Sequence, residues 1–136
     1  MKELIRSVID LLKSGSDAVL VSVTASSGST PRGAGAMMLV RRDGSSAGTI
    51  GGGRVEYEAQ LHAAEIYSAG RSGTVGYNLA PNDVADLGMI CGGKVTVYFQ
   101  YIPAGDAQTL ELFSYLAGAF ERGENVWFVR RMIYTW

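Results

Sequence analysis

The stretch AVLVSVTA at residues 18–25 decides the fold of this chain. It is rich in β-branched residues and almost continuously apolar, which is typical of a strand that is covered on both faces. We therefore predict a central strand over residues 18–25, with the rest of the domain built around it.

Helical and strand patterns alternate on both sides of this stretch. The apolar spacing predicts helices over 2–14 and 54–68, and a third helix that Asp106 caps and Gly123 ends. Further strands are predicted over 36–40, 47–50, 74–79, 94–101 and 126–133, with a hairpin turn at 43–44 and an irregular segment at 81–87. The pattern predicts an α/β or α+β fold, with a mixed sheet of about five to six strands and three flanking helices.

Composition excludes several classes of protein. The 136 residues, 47% of them apolar, suit one globular domain, and a formal charge of -1 argues against a nucleic-acid partner. A single Cys excludes an intramolecular disulfide, and no run approaches the roughly 20 apolar residues that span a bilayer. No export signal is visible at residues 1–6, so we expect a soluble, cytoplasmic protein.

Glycine is the residue in excess, at 18 of 136. The glycines concentrate in three short segments, residues 28–35, 48–53 and 88–93, where we predict tight loops.

Two nucleotide-binding motifs can be rejected in these glycine segments. GMICGGK at 88–94 begins like a P-loop, but Val95 replaces the magnesium-binding hydroxyl and a strand follows instead of a helix. The triplet Gly51–Gly53 fails the dinucleotide fingerprint because its third glycine would fall on Glu56.

The first two glycine segments are candidate oxyanion sites. The loop at 26–35 combines Ser29, Thr30 and Arg32 with flexible glycines, which is typical of phosphate or carboxylate binding, although a surface turn fits equally. Gly51–Gly53 open directly into a helix, so free N–H groups there could face an anion. The alternative at Gly51–Gly53 is close packing of helix on strand.

Single titratable residues point to chemistry less strongly. Cys91 is either an inert buried thiol or a thiolate that handles sulfur. We expect His62 to pair with Glu58 on a helix surface, and one Cys with one His cannot form a zinc site. Asp83 and Asp86 are turn residues or, alternatively, a magnesium-binding acid pair.

Three motifs in order carry a family resemblance: GSTPR at 28–32, GTIGGG at 48–53 followed by Glu56, and GMICGG at 88–93. Together they resemble the XdhC/CoxI family of xanthine dehydrogenase accessory factors, in particular its N-terminal domain. The resemblance covers residues 1–102, while 103–136 resembles the helix and strand that continue this domain in some members. The domain would span 1–136, and the C-terminal Rossmann-like domain of the family is absent from this sequence.

The resemblance implies a non-catalytic factor that binds molybdenum cofactor, protects its sulfurated form and delivers it to a molybdenum hydroxylase such as xanthine dehydrogenase. It also implies roles by position. Anionic or pterin groups would contact Ser29, Thr30 and Arg32, and Gly51, Gly52 and Gly53 would form a second wall. Glu56 would orient a pterin amine or a loop amide. Cys91, beside Gly92 and Gly93, would lie near the molybdenum or its exchangeable sulfur, and no residue is assigned as a direct metal ligand.

Departures from the family pattern leave alternatives open. This chain has Arg54 where many members carry Cys or a small residue after the glycine triplet. A thiol-dependent sulfur transferase that uses Cys91 is one alternative, and a non-binding truncated structural or interaction domain is another. A cysteine desulfurase is a further candidate partner, and we expect a homodimer because the apolar strand at 126–129 would otherwise be exposed.

Overall fold

The computed structural model describes residues 1–29, 35–79 and 89–126, with the backbone alone at 25–29 and 89–92. It contains three helices: α1 over Lys2–Lys13, α2 over Gly53–Ala69 and α3 over Ala107–Glu121. The five strands are β1 over Ala18–Ser29, β2 over Met37–Val40, β3 over Ser46–Gly48, β4 over Gly73–Asn78 and β5 over Met89–Ile102.

The five strands form one sheet in the order β3-β2-β1-β5-β4, which confirms the central position of β1. All four strand pairings are antiparallel, so the fold is the α+β alternative and the sheet is antiparallel and not mixed. The two longest strands, β1 and β5, lie side by side in the middle. Their pairing runs from Ala18 opposite Ile102 to Ser29 opposite Met89.

Helices cover both faces of the sheet because successive side chains of a strand point to opposite sides. Val19, Val21 and Val23 belong to the core under α2, together with Phe99 and Ala63. On the opposite face, alternating residues such as Leu20 belong to a second core with α1 and α3. The near-continuous apolar character of 18–25 therefore reflects burial on both faces, as predicted.

The helix bounds agree with the sequence within one or two residues. The second helix ends at the predicted glycine, since Gly70 takes a left-handed conformation and its N–H donates to the carbonyl of Ile66. Asp106 is the N-cap of α3, but its carboxylate accepts a hydrogen bond from the Thr109 hydroxyl instead of a backbone amide. Among the described helices, none has the length and apolar character needed to cross a bilayer.

The two central strands are longer than predicted. β1 continues four residues past Ala25, and β5 begins five residues before Lys94. The predicted loop at 88–93 is therefore wrong for Met89–Gly93, which lies within a strand. The flanking pairs supply the reason, because Met89 pairs with Ser29 and Lys94 pairs with Ser27, so the stretch between them is kept within the strand. The predicted segment 81–87 and most of the predicted strand 126–133 lie outside the described residues, and Val126 itself is not in a strand.

Candidate functional site

The antiparallel topology brings the described parts of the three glycine segments to one end of the sheet. β1 ends there at Ser29, β3 ends there at Gly48, and β5 starts there at Met89. The loop after β3 leads at this end into α2. We call the residues 26–29, 48–53 and 89–93 the glycine end. Segments that are 60 residues apart in sequence, such as Ser29 and Met89, are thus direct neighbours.

One carboxylate oxygen organises the loop between β3 and α2, residues 49–52, which we call the glycine loop. Oε1 of Glu56 accepts hydrogen bonds from the N–H groups of Ile50 and Gly52, each at 3.0 Å, and from the hydroxyl of Thr49. The Thr49 hydroxyl oxygen in turn accepts the N–H of Gly51 at 3.0 Å. The helix thus reaches back from its own first turn and holds the loop that precedes it.

This arrangement corrects one expectation from the sequence. The N–H groups of Gly51 and Gly52 are not free, because each already donates inside the loop. Both amides precede the helix, which starts at Gly53. The Gly51 N–H donates to the Thr49 hydroxyl, and the acceptor of the Gly52 N–H is the Glu56 carboxylate.

The loop has a shape that few sequences could adopt. Gly51, Gly52 and Gly53 have φ values of 127°, 78° and 67°, a region that residues with a Cβ rarely enter. Ile50, just before them, is 1% exposed and lies in the core under α2. The loop is therefore fixed at one side by a buried apolar side chain and at the other by the Glu56 carboxylate.

Gly48, at the start of this loop, allows a close approach between backbones. Its φ is +80°, and a Cβ at this position would lie 2.8 Å from the carbonyl oxygen of Met37. No such crowding exists at Gly52, where a Cβ would meet nothing within 4 Å. The two glycines are thus required for different reasons, Gly48 by packing and conformation together and Gly52 by conformation alone.

Arg54 connects the start of α2 to the far edge of the sheet. Its guanidinium donates to Oε2 of Glu58 at 2.9 Å and to the carbonyl oxygen of Asn78, at the end of β4, at 2.7 Å. The side chain that replaces the Cys of many family members therefore has a structural contact here, which joins α2 to the strand beside β5.

The third motif lies in a bulge of β5. Ser27 pairs with Lys94 and Ser29 pairs with Met89, so Gly28 alone faces the four residues 90–93. Cys91, Gly92 and Gly93 are three of these four, which places them in an irregular stretch of strand directly opposite the first motif. Bulges of this kind disrupt the strand pairing locally and are common next to functional sites.

Some of the predicted site residues are neighbours in the structure, and others lie outside the described residues. Gly51, Gly52, Gly53 and Glu56 form one connected loop, while Ser29, Cys91, Gly92 and Gly93 are neighbours in the β1 and β5 backbones. Thr30, Arg32, Asp83 and Asp86 lie outside the described residues. In the parts of the chain that are described, no group of three or more His, Cys, Asp or Glu is placed to hold a metal ion.

The prediction for His62 is wrong in its partner. Nδ1 of His62 lies 2.8 Å from Oε2 of Glu65, one turn later, and its ring meets the ring of Phe99 edge-on at 4.7 Å between centroids. Glu58 contacts Arg54 instead. The preference for Glu65 follows from the helix, in which neighbours three residues apart are as close as neighbours four apart.

Thr49 is the site residue that the sequence did not reveal. A capping box links a hydroxyl and a Glu that are three residues apart, whereas Thr49 and Glu56 are seven apart and are joined only because the glycine loop turns back. The spacing therefore carried no signal. The only hint was that Thr49 lies inside a glycine-rich segment, and that the helix after this segment has an acidic residue in its first turn.

A second polar cluster lies at the opposite end of the sheet, and the sequence did not reveal it either. The guanidinium of Arg42 donates to both carboxylate oxygens of Asp17, at 2.7 and 2.6 Å, and the Tyr101 hydroxyl donates to the same carboxylate at 2.9 Å. Tyr67 lies beneath Arg42, with the guanidinium carbon 4.9 Å from its ring centroid. We call these four residues the Asp17 end.

The titration behaviour of the Asp17 end follows from its contacts. The hydrogen bonds from Arg42 hold the pKa of Asp17 below its usual value of 3.8, against the opposing effect of burial. The hydrogen bond that Tyr101 donates to Asp17 raises the pKa of Tyr101. Burial raises the pKa of Tyr67 to about 12. This cluster is therefore ionised at Asp17 and Arg42 and neutral at both tyrosines near pH 7.

The comparisons with known proteins bear on this fold and on the glycine end. The model of the XdhC and CoxI family matches residues 11–78, which is half of the chain and includes β1, the glycine loop and α2. This chain belongs to the XdhC and CoxI family. The family resemblance is thereby confirmed, and the matched residues include the first two motifs, at 28–32 and 48–53.

Individual relatives agree with this assignment. The chain is 34% identical over 96 residues to the molybdenum cofactor insertion chaperone PaoD of Escherichia coli, a match that covers 71% of this chain and 30% of PaoD. It is 37% identical over 79 residues to the uncharacterized protein YqeB of the same organism, covering 58% and 14% of the two chains.

A crystal structure described as a xanthine dehydrogenase from Bacillus halodurans has the same fold, with a TM-score of 0.61 and 25% identity. That match covers 85% of this chain and 35% of the other. The chain therefore spans about a third or less of the length of these relatives.

Proposed function

We propose that this chain is part of a maturation factor that holds molybdenum cofactor and passes it, in sulfurated form, to a molybdenum hydroxylase of the xanthine dehydrogenase type. The observation that carries the proposal is that Ser29 and Met89, from the first and third motifs, pair in the sheet, while the second motif leads into α2, whose Arg54 contacts Asn78 beside β5. Family membership and the 34% identity to a molybdenum cofactor insertion chaperone support it. On this proposal the chain is an accessory factor without a catalytic step of its own.

The chemistry of the glycine end fits several parts of this cargo. Molybdenum cofactor carries hydrogen-bond donors on its pterin, a phosphate, and dithiolene sulfurs next to the metal. Glu56 offers a carboxylate whose Oε1 accepts three donors, while its Oε2 has no donor among the described residues and is left for a pterin amine. In the bulge at 90–93 the regular pairing with β1 is interrupted, and the Gly93 carbonyl accepts the N–H of Leu79 at 2.9 Å.

The remaining roles are assigned by position in the motifs. Ser29, Thr30 and Arg32 would bind the anionic or pterin groups of the cofactor, since a guanidinium suits the geometry of a phosphate. Cys91, with Gly92 and Gly93, would lie at the metal or its exchangeable sulfur, because thiolate is a soft ligand that suits sulfur-rich metal centres. The sulfur would come from a cysteine desulfurase.

The test is an anaerobic titration of the folded chain with molybdenum cofactor, followed by calorimetry or by quenching of intrinsic fluorescence. We expect saturable binding by the wild type, weakened about tenfold or more in Arg32→Ala and in Cys91→Ala. Arg41→Ala is the matched control, because Arg41 lies just past the far end of β2 and its guanidinium donates to the hydroxyl of the nearby turn residue Ser45. Light scattering on the same samples measures whether the chain is a homodimer.

Different results would overturn the proposal that this chain binds the cofactor and the proposal that it delivers it. A folded wild type that binds no cofactor would overturn the proposal for this chain, and so would an equal loss of affinity in Arg41→Ala. Delivery is tested separately, by adding the loaded chain to a cofactor-free molybdenum hydroxylase and measuring the activity that appears. If the chain transfers sulfur repeatedly from a donor to free cofactor, and Cys91→Ala abolishes this turnover, the sulfur transferase alternative replaces the chaperone.

A further inference from the structure

The start of α2 is already occupied by a negative charge that belongs to the protein. Helix N-termini that follow glycine loops commonly bind phosphate, because their N–H groups converge and the helix dipole favours an anion. In this chain the N–H groups of Ile50 and Gly52 converge on Oε1 of Glu56, and the N–H of Gly51 is taken by Thr49. The loop amides just before α2, where an oxyanion could otherwise bind, are therefore already held by a carboxylate and by the hydroxyl bonded to it.

We propose that Glu56 is a specificity-determining residue that excludes anionic groups from the glycine loop, so that the phosphate of the cofactor binds at another part of the chain. The inference rests on the proposed function and deepens it, because it fixes which end of the ligand can face α2. A phosphate could reach these amides only by displacing Oε1 from three donors at once. It would also have to approach a like charge in a partly buried position, where repulsion is stronger than in water.

The residues around Glu56 strengthen the exclusion. The nearest cation on α2, Arg54, is engaged by Glu58 and by the carbonyl oxygen of Asn78, so it is not positioned to neutralise a second anion beside Glu56. The loop cannot easily move away to make room, since Ile50 is buried in the core. The ligand group that faces α2 should therefore be neutral or a hydrogen-bond donor.

The experiment follows the amide resonances of Ile50, Gly51 and Gly52 in the full chain by nitrogen-15 NMR while inorganic phosphate is added at constant ionic strength. In the wild type we expect these resonances to shift no more than in a matched chloride titration. In Glu56→Ala the same amides should show saturable shifts with phosphate, because both the charge and the acceptor are gone. In Glu56→Gln the shifts should be saturable but weaker, because the charge is gone and an acceptor remains. Glu65→Gln is the control: it removes one negative charge from the same helix, three residues past His62 and away from the loop.

Two results would overturn the inference: saturable phosphate shifts at Gly51 and Gly52 in the wild type, or Glu56 variants that stay folded and still reject phosphate. The Gln variant keeps an acceptor of the same length, which guards against a trivial loss of structure in the Ala variant. Failure of the proposed function looks different. In that case the wild type would reject phosphate as expected and yet bind no molybdenum cofactor in the anaerobic titration.

Discussion

At the Asp17 end a carboxylate, a guanidinium and two tyrosines hold one another through side chains, whereas at the glycine end a single carboxylate holds the backbone of a loop. Asp17 lies just before β1 and is 7% exposed. It contacts Arg42, just past β2, and Tyr101, near the end of β5. Glu56 is only partly buried, and its partners are amides and a hydroxyl. The comparison teaches that side chains can bind one another at one end of a sheet, while at the other end a single side chain binds the backbone of a loop.

The largest effect is expected at the glycine end, where backbone shape is critical. Gly48→Ala should reduce the free energy of unfolding by about 3 kcal/mol, because the new methyl group meets the carbonyl oxygen of Met37 in a backbone conformation that already disfavours it. Urea denaturation followed by circular dichroism measures this loss.

Gly52→Ala is the matched control for Gly48→Ala. It carries the conformational strain without the clash, and we expect a loss of about 1 kcal/mol. Equal losses in the two variants would mean that the crowding at Met37 has no energetic weight, and the contrast between the two glycines would then disappear.

The next effect is at the Asp17 end. Asp17→Asn should cost about 2 kcal/mol near pH 7, since the amide cannot accept the paired hydrogen bonds of Arg42 as a carboxylate does. Because the pKa of Asp17 is lowered from 3.8 in the folded state, this contribution is present above that pH and is lost as the pH falls below it. The difference between wild type and variant should therefore shrink in acid.

Asp10→Asn serves as the control for this charge change. Asp10 is exposed on α1, and its substitution should alter the free energy of unfolding by less than about 0.5 kcal/mol. A gap between wild type and Asp17→Asn that stays constant down to the acid transition would show that the ionised carboxylate is not what Arg42 stabilises.

Tyr67 offers a smaller test of the same end. Its hydroxyl accepts the N–H of Val19 at 3.1 Å and donates to the carbonyl oxygen of Val40 at 2.6 Å, so Tyr67→Phe should cost about 1.5 kcal/mol. The pKa of Tyr67 is about 12, so between pH 10 and 12 the unfolded chain releases this proton while the folded chain keeps it. The wild type should lose stability over this interval, and its advantage over Tyr67→Phe should fall. Tyr77, whose pKa is also about 12, is present in both proteins and cancels.

The smallest effect concerns the link between the start of α2 and β4. Arg54→Met keeps an unbranched apolar side chain but removes the contacts with Glu58 and Asn78, and should cost about 0.5 kcal/mol because the pair is on the surface. Glu58→Gln removes the ion pair. A difference between the two variants then measures the contacts of Arg54 other than this ion pair, among them the hydrogen bond to Asn78, and identical values would mean that these contacts do not stabilise the fold.

Local patterns in the sequence were sufficient to predict the helices and the core of the sheet. Residues 18–25 are apolar on both faces because both faces are covered, and the glycines after α2 and α3 mark real helix ends. What could not be predicted depends on distant partners. The last four residues of β1 and the first five of β5 are polar or glycine-rich, and only their pairing across 60 residues or more makes them strands.

The candidate site shows the same limit. The glycine triplet and Glu56 were visible because they are neighbours in sequence at a helix start. The contact of Glu56 with Thr49 depends on a loop that turns back, and the contacts of Asp17 with Arg42 and Tyr101 bridge 25 and 84 residues. No periodicity links such positions, so the Asp17 end was absent from the sequence-based view and the loop amides were wrongly expected to be free.

The pairing of β1 with β5 also sets the order in which this molecule can assemble. Its contacts join residues separated by 60 to 84 positions, whereas the hairpin of β2 and β3 closes within a few residues. Closing so long a loop carries a large entropic cost before any contact repays it, so the central pair should form late and slowly. A nascent chain that has not yet emerged as far as residue 102 would have the glycine loop but not the strand that faces it. The glycine end is therefore complete only after β5 has been synthesised and has paired with β1.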